Sequence, residues 1–516
     1  MGKKKRKGLK GGKSLTRRDF LKMTGAVTAG VAVGTVLGSP LPESAMAQSP
    51  SGTINVVHSA DADNYDPHAW ISSDAFWIGH HIFEQLVTLD QEPMLATSWE
   101  NPDKLTWIFH LKKNVEFTNG EPFDASVVKF NLERIMDPAT KSTYRGLLTP
   151  VAGVEVVDKH AVRVKTKTPF GVFLSVLSLA PMVSPKAVKE MGKEFARRPI
   201  GTGPFVFKEW IPMERTVIEA NPDYYGAKAK VKTIIWRPVA EASTRIVELR
   251  SGKAHLITKV PPELAGDISG QGMNVLRRRV WWRMGIKLNC AKPPFDKVKA
   301  RQAFSYAADN EALVKSVLQG AGYILSDYLG PDREGYNPNL KPYRQDIPLA
   351  KKLLAEAGYP NGVDIEILTP TGRYLKDKEL TEALSYQVRD AGFNMKVVAK
   401  EWGMYLKTYR DYNGFFLGSD SPTHRFFFHD GYAPGKSYSW MGYQNDEFIR
   451  LYEEAEAEFD RQKRNVIYQK MNKLLWEECP WLAMYLAQDV FGISDRLKGF
   501  APRADGYVLL HNASLG

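Results

Sequence analysis

The chain has 516 residues and a formal net charge of +12, from 70 Lys and Arg against 58 Asp and Glu. Ten basic residues and two acids lie within residues 1–47, so that segment contributes +8 and the following 469 residues carry only +4. The basic balance therefore argues for no nucleic-acid partner, and 43% hydrophobic residues indicate an ordinary globular remainder of two or three domains.

Residues 1–47 read as a twin-arginine signal peptide. A basic run (Lys3, Lys4, Lys5, Arg6, Lys7, Lys10, Lys13) precedes Thr16-Arg17-Arg18-Asp19-Phe20-Leu21-Lys22. A mildly apolar stretch from Met23 to Leu37 follows, and Ala45-Met46-Ala47 offers the small-x-small site of a signal peptidase. Gly25, Gly30 and Gly34 make that stretch too short and too mild to span a bilayer. Read alone, the basic run also fits a nuclear-localisation patch; the order of arginine pair, apolar run and cleavage site favours export. Cys290 and Cys479 are the only cysteines, and neither adjoins the cleavage site, so a soluble periplasmic protein without a lipid anchor is expected. Whether the two cysteines pair in that oxidising compartment is left open.

From Thr53 onward, short β-rich runs alternate with amphipathic helices, which predicts a mixed α/β protein. Strands are expected near 53–58, 105–111, 161–166, 215–220, 285–289, 363–368 and 395–400, bounded by turns such as Asn119-Gly120 and Asn361-Gly362. Ala350, Leu353, Leu354 and Ala357 form a helical stripe stopped by Gly358. Leu380, Ala383, Leu384 and Val388 form a second, and Ile467, Met471, Leu474 and Leu475 a third. These stripes are core faces.

Pro199-Ile200-Gly201-Thr202-Gly203-Pro204-Phe205 specifies a rigid turn entering a strand. Pro204 lacks the N–H that a phosphate cradle needs, so a structural role is expected. The turn stands within an ordered series. Before it come Tyr65-Asp66-Pro67-His68, Leu95-Ala96-Thr97-Ser98-Trp99-Glu100 and Val115-Glu116-Phe117-Thr118-Asn119-Gly120. After it come Asn221-Pro222-Asp223-Tyr224-Tyr225-Gly226, Pro293-Pro294-Phe295-Asp296 and a helix with Arg301-Gln302-Ala303-Phe304. The series resembles the peptide/nickel-type extracytoplasmic solute-binding proteins of ABC importers, over essentially the whole mature chain.

That resemblance implies a two-lobe periplasmic-binding-protein (Venus flytrap) fold with a hinge and an extra domain inserted in lobe one. Lobe one would comprise 52–93, 199–284 and 488–516, the insert 94–198, and lobe two 285–487. It implies a monomer that captures peptides or related zwitterions between its lobes and delivers them to ABC permease subunits, after export by the Tat machinery. It also implies no catalysis, no cofactor and no metal.

Ligand-binding candidates follow from the same resemblance. Asp420, ending the run Gly418-Ser419-Asp420, is the candidate partner of a ligand ammonium, with Ser419 beside it; a solvated turn Asp before Ser421-Pro422 is the plainer reading. Arg373, in Thr369-Pro370-Thr371-Gly372-Arg373-Tyr374, is the candidate partner of a ligand carboxylate, which a guanidinium fork suits. The alternative for Arg373 is an ion pair with Asp377. Trp402 is a cleft-lining candidate or a core residue, and Tyr438 and Trp440 are weaker cleft candidates.

Nickel complexes, opines and oligosaccharides remain alternative ligands. The histidines, including adjacent His80-His81 and His424 with His429, are expected to be structural. A Tat-exported enzyme is the rival of another class, but no P-loop, dinucleotide fingerprint, Gly-x-Ser-x-Gly or His-Glu-x-x-His motif supports it.

Overall fold

The computed structural model describes residues 50–516, apart from 269, 271, 420–422, 425–426, 429–431 and 433–441. A large mixed sheet starts from Thr53–His58, whose Ile54, Val56 and Val57 are fully buried. This strand lies parallel between Thr233–Pro238 and Leu256–Ile257, the position of a strand covered on both faces. Arg215–Ala220 and Phe205–Ile211 extend that side as antiparallel strands. On the other side the order runs Leu256–Ile257, Trp481–Ser494, Met273–Leu288, Gly414–Ser419, Val363–Pro370, Phe393–Lys400.

A separate antiparallel sheet has the order Ala96–Asp103, Thr106–Leu111, Ala161–Thr166, Val151–Asp158. Alternation in Thr106–Leu111 buries Trp107, Phe109 and Leu111 on one face. Helix Ala125–Met136 packs along this sheet and starts at Asp124, whose carboxylate accepts from the N–H groups of Ser126 and Val127. The side chains of this sheet share one core with Ile54 and Trp236 of the large sheet.

Two long strands are only partly legible in the sequence. Met273–Leu288 has 16 residues, where only 285–289 is expected, and Trp481–Ser494, for which no strand is expected, has 14. Their first pairing block joins Met273 to Arg279 with Ser494 to Gln488; the second joins Arg283 to Lys287 with Leu486 to Trp481. The register shifts between Arg279 and Arg283. Before the shift, Val275 packs with Val57 and Ile257. After it, Met284, Ile286 and Leu288 join a different core. The strands thus cross from one lobe to the other, and the irregular stretch Val280-Trp281-Trp282 sits at the crossing.

The second lobe is apolar on both faces of its strands. Ile367 and Phe416 face one core together with Leu380, Leu384 and Val388 of helix Asp377–Arg389. Leu368, Phe415 and Leu417 face the opposite core with Ile467, Met471 and Leu475 of helix Arg461–Glu478. The stripes legible in the sequence are these faces, and Gly358, after helix Ile347–Glu356, has the positive φ of a helix-ending glycine.

The ordered motifs are scaffolding. Buried Glu84 accepts hydrogen bonds from Thr202 at 2.9 Å, Tyr224 at 2.9 Å and Tyr225 at 2.7 Å. One carboxylate thereby ties the Gly-Thr-Gly turn to the Asn-Pro-Asp-Tyr-Tyr turn, while burial raises its pKa. A Cβ on Gly201 would overlap the carbonyl of Ile82, so the close approach requires glycine. Asp66 forms a 2.5 Å ion pair with Arg134, and buried His68 is held between Arg134 and the Pro181 carbonyl. Cys290 and Cys479 are free thiols, their pKa values pushed up to about 12 and about 11 by burial.

Candidate ligand-binding site

The strand directions define where a ligand can sit. Thr53–His58 runs parallel to Leu256–Ile257, which is antiparallel to Trp481–Ser494, so its C-terminal end points toward the crossover. Gly414–Ser419 is antiparallel to Met273–Leu288, with Ser419 opposite Arg283, and Val363–Pro370 is parallel to Gly414–Ser419. Their C-terminal ends point toward the crossover from the other lobe. Loops following carboxyl ends of strands therefore face one another across the crossing, the usual ligand position in open α/β sheets.

The loop after Val363–Pro370 carries Arg373. Its shape is imposed by Asp377, a buried first-turn residue of its helix. The Asp377 carboxylate accepts from the N–H groups of Gly372 at 3.1 Å and of Arg373, Tyr374 and Lys378 at 2.9 Å. Asp377 thus holds the backbone of Arg373, and the ion pair weighed from the sequence is not what it makes. The guanidinium is exposed, 5.1 Å from the ring centre of Trp402 and 5.6 Å from that of Tyr374.

Trp402 begins helix Trp402–Thr408, where Glu401 accepts from the N–H of Gly403. Its half-buried ring stacks on Tyr405, centroids 5.0 Å apart, and meets Tyr374 edge-on at 6.3 Å. It is both a packing residue and part of the wall beside Arg373. Ser419 closes its strand, and Tyr374 donates to the Gly418 carbonyl at 3.3 Å, so the two loops share a floor. The structure therefore brings Arg373, Trp402 and Ser419 to one end of the second lobe. Asp420, Tyr438 and Trp440 lie outside the described residues.

Several residues at this place escape sequence reasoning. Trp282, at the crossover, contacts Tyr374 of the second lobe edge-on at 6.0 Å. The ammonium of Lys259, from the first lobe, lies 5.7 Å from its ring centre and pairs with Asp489 at 2.7 Å. Lys376 reaches Glu263 of the first lobe at 3.8 Å. Arg283, fully buried, donates to the Tyr328 carbonyl at 3.3 Å and lies over Phe427 at 4.3 Å. The only sequence signal was the run Arg277 to Arg283 with its two tryptophans, whose meaning depends on the crossover.

Two histidines weighed as metal ligands, His81 and His424, sit in packing roles. His81 donates from Nδ1 to the Trp77 carbonyl and accepts at Nε2 from the Leu510 N–H, which docks the C-terminal segment. His424 stacks on Tyr468 and contacts the Glu334 carbonyl, while His429 lies outside the described residues. Among the described residues, no group of three His, Cys, Asp or Glu side chains is placed to hold a metal ion.

Residues 90–437 match the family of bacterial extracellular solute-binding proteins, family 5, and residues 14–34 match the twin-arginine translocation signal sequence. The chain belongs to that solute-binding family. It is 26% identical over 460 residues to the glutathione-binding protein GsiB of Escherichia coli K12, covering 85% of this chain and 89% of that protein. The periplasmic binding protein DppA of Helicobacter pylori, solved with the peptide STSA, superposes with a TM-score of 0.79 at 26% identity, covering 90% and 98% of the two chains. NikZ of Campylobacter jejuni, solved with Ni(L-His), gives a TM-score of 0.80 at 22% identity over 90% and 100%. The protein is thus a two-lobe periplasmic solute-binding component of an ABC importer, exported by a twin-arginine signal. No helix among the described residues is long and apolar enough to cross a membrane.

Proposed function

We propose that the protein captures peptides or related zwitterionic molecules between its lobes and releases them unchanged to a membrane permease. Lobe one is assigned to 52–93, 199–284 and 488–516, the insert to 94–198 and lobe two to 285–487, acting as a monomer. The observation that carries the ligand reading is Arg373. Its guanidinium is exposed at the facing end of the second lobe, backed by aromatic rings, and makes no ion pair with a carboxylate among the described residues. Such a fork suits a ligand carboxylate. Asp420, next in sequence after Ser419, is assigned the ligand ammonium, with Ser419, Trp402, Tyr438 and Trp440 as the further ligand-contacting candidates. The ligands named for GsiB and DppA, glutathione and a peptide, carry both charges.

Closing the cleft desolvates both charges, and leaving one unpaired costs about 2–5 kcal/mol, which favours zwitterions over neutral solutes. Micromolar capture needs only about −8 kcal/mol in total, so two satisfied charges and an aromatic wall suffice without close reading of side chains.

Calorimetry with glutathione, di- and tetrapeptides and a nickel–histidine complex, alongside mass spectrometry of co-purifying molecules, tests the reading. Binding of peptides recovered intact supports it. Conversion of the peptide would establish an enzyme instead, and binding of the nickel complex alone would replace the ligand class. Within the peptide reading, Asp420→Asn is expected to weaken free-amine peptides far more than N-acetylated ones; equal loss removes Asp420 from the ammonium role.

A further inference from the structure

The two long strands are not the only link between the lobes. In the second lobe, the turn at 458–460 joins helices Asp446–Ala457 and Arg461–Glu478. It rests on Gly171, which follows the small sheet in the chain. The Gly171 N–H donates to the Glu456 carbonyl at 2.7 Å. Arg464, buried, donates from one nitrogen to the Glu458 carbonyl at 2.7 Å and to the Gly171 carbonyl at 3.3 Å. The Phe459 ring stacks on Trp107 with centroids 5.7 Å apart. A Cβ on Gly171 would overlap the Glu458 carbonyl, so this approach is open only to glycine.

We propose that this contact is a closing latch, made when the lobes come together and broken when they part. Rotation at the crossover carries the turn at 458–460 away from Gly171, and hydrogen bonds of this length are lost within a displacement of about 1 Å. The groups released are backbone groups of Gly171 and Glu456, one N–H of Arg464 and the facing sides of the Phe459 and Trp107 rings, all able to meet water. The Arg464–Glu458 bond lies wholly within the second lobe, so it survives opening and keeps the guanidinium aimed for re-closure. Part of the closing tendency thus resides in the chain itself, independent of which ligand binds. The inference needs only the two-lobe architecture, so it stands or falls separately from the peptide reading.

The test uses ligand-free protein purified from the periplasm, with Gly171→Val, Phe459→Ala and Arg464→Met. Loss of one ordinary hydrogen bond shifts a two-state population about fivefold. Small-angle scattering is expected to show each folded variant more expanded than the parent, with amide exchange at Gly171 and its neighbours at least about fivefold faster. Circular dichroism identifies variants that remain folded; if Gly171→Val does not fold, the other two decide. Folded variants with the parent's scattering curve overturn the latch and make the contact a fixed support.

Discussion

The hydroxyl of Tyr374 donates to the carbonyl of Gly418, tying the loop that bears Arg373 to the strand end that bears Ser419. The same ring touches Trp282 at the crossover and Trp402 beside the guanidinium. Gly418 leaves the space for it, since a Cβ there would press on Tyr374 and Met284. One side chain therefore couples the hinge to both halves of the second lobe's ligand face.

Tyr374→Phe is expected to cost about 1 kcal/mol of stability, the net worth of one hydrogen bond, and to weaken peptide binding as the two loops decouple. Tyr374→Ala should cost about 3–5 kcal/mol through the lost ring. Denaturant titration and calorimetry on the same samples check both; unchanged affinity in the Phe variant would show that the loops hold their places independently.

Asp377→Ala strips the acceptor from four backbone N–H groups. Hydrogen bonds to a charged group are worth about 1.5–3 kcal/mol each, though partial exposure of this loop and overlap between the bonds keep the expected loss near 3 kcal/mol. Affinity should fall more than in Arg373→Ala, because the loop loses its shape as well as its fork. A binding constant equal to the parent's would place the ligand elsewhere.

Arg373→Ala is expected to discriminate. Peptide acids should lose about 2–5 kcal/mol of binding, and the corresponding C-terminal amides less than about 1 kcal/mol. Calorimetry with matched acid and amide pairs measures the difference. Equal losses would return Arg373 to a packing role over Trp402.

Stability should fall steeply below pH 6.5. Burial lowers the pKa of His68 and His511 to about 4, against 6.5 for the ordinary side chain, and that of His81 falls well below it. His68 is also fixed as neutral by geometry, donating from Nε2 to Pro181 and accepting at Nδ1 from Arg134. The unfolded chain takes up protons first, so the stability present above pH 6.5 is lost as pH falls toward 4. At 1.36 kcal/mol per unit, each of the two histidines contributes of the order of 3 kcal/mol. Thermal midpoints at pH 7.5 and 4.5 test this, and His68→Gln should shrink the difference; an unchanged slope would assign it to other groups.

Local periodicity made much of the fold legible. The strands at 53–58, 161–166 and 215–220 stand as expected, because each is a short β-rich run readable within its own few residues. Of the strand Met273–Leu288 only 285–289 is legible, since Arg277-Arg278-Arg279 hides its apolar alternation and only pairing with residues some 200 positions later reveals it. Arg373 and Trp402 were each identifiable through the family resemblance, but their contact was not, because it depends on how helix Trp402–Thr408 sits against the loop that Asp377 shapes.

The chain's own order of residues determined the export leader, the family, the helix stripes and the turns that Glu84 later binds together. Those features are local, set by charge, glycine geometry and spacing inside short windows. Tertiary structure alone decided that Lys259, Trp282 and Tyr374 meet, and that Gly171 receives the turn at 458–460. Such meetings follow from strand direction, register and core packing, which no short window contains.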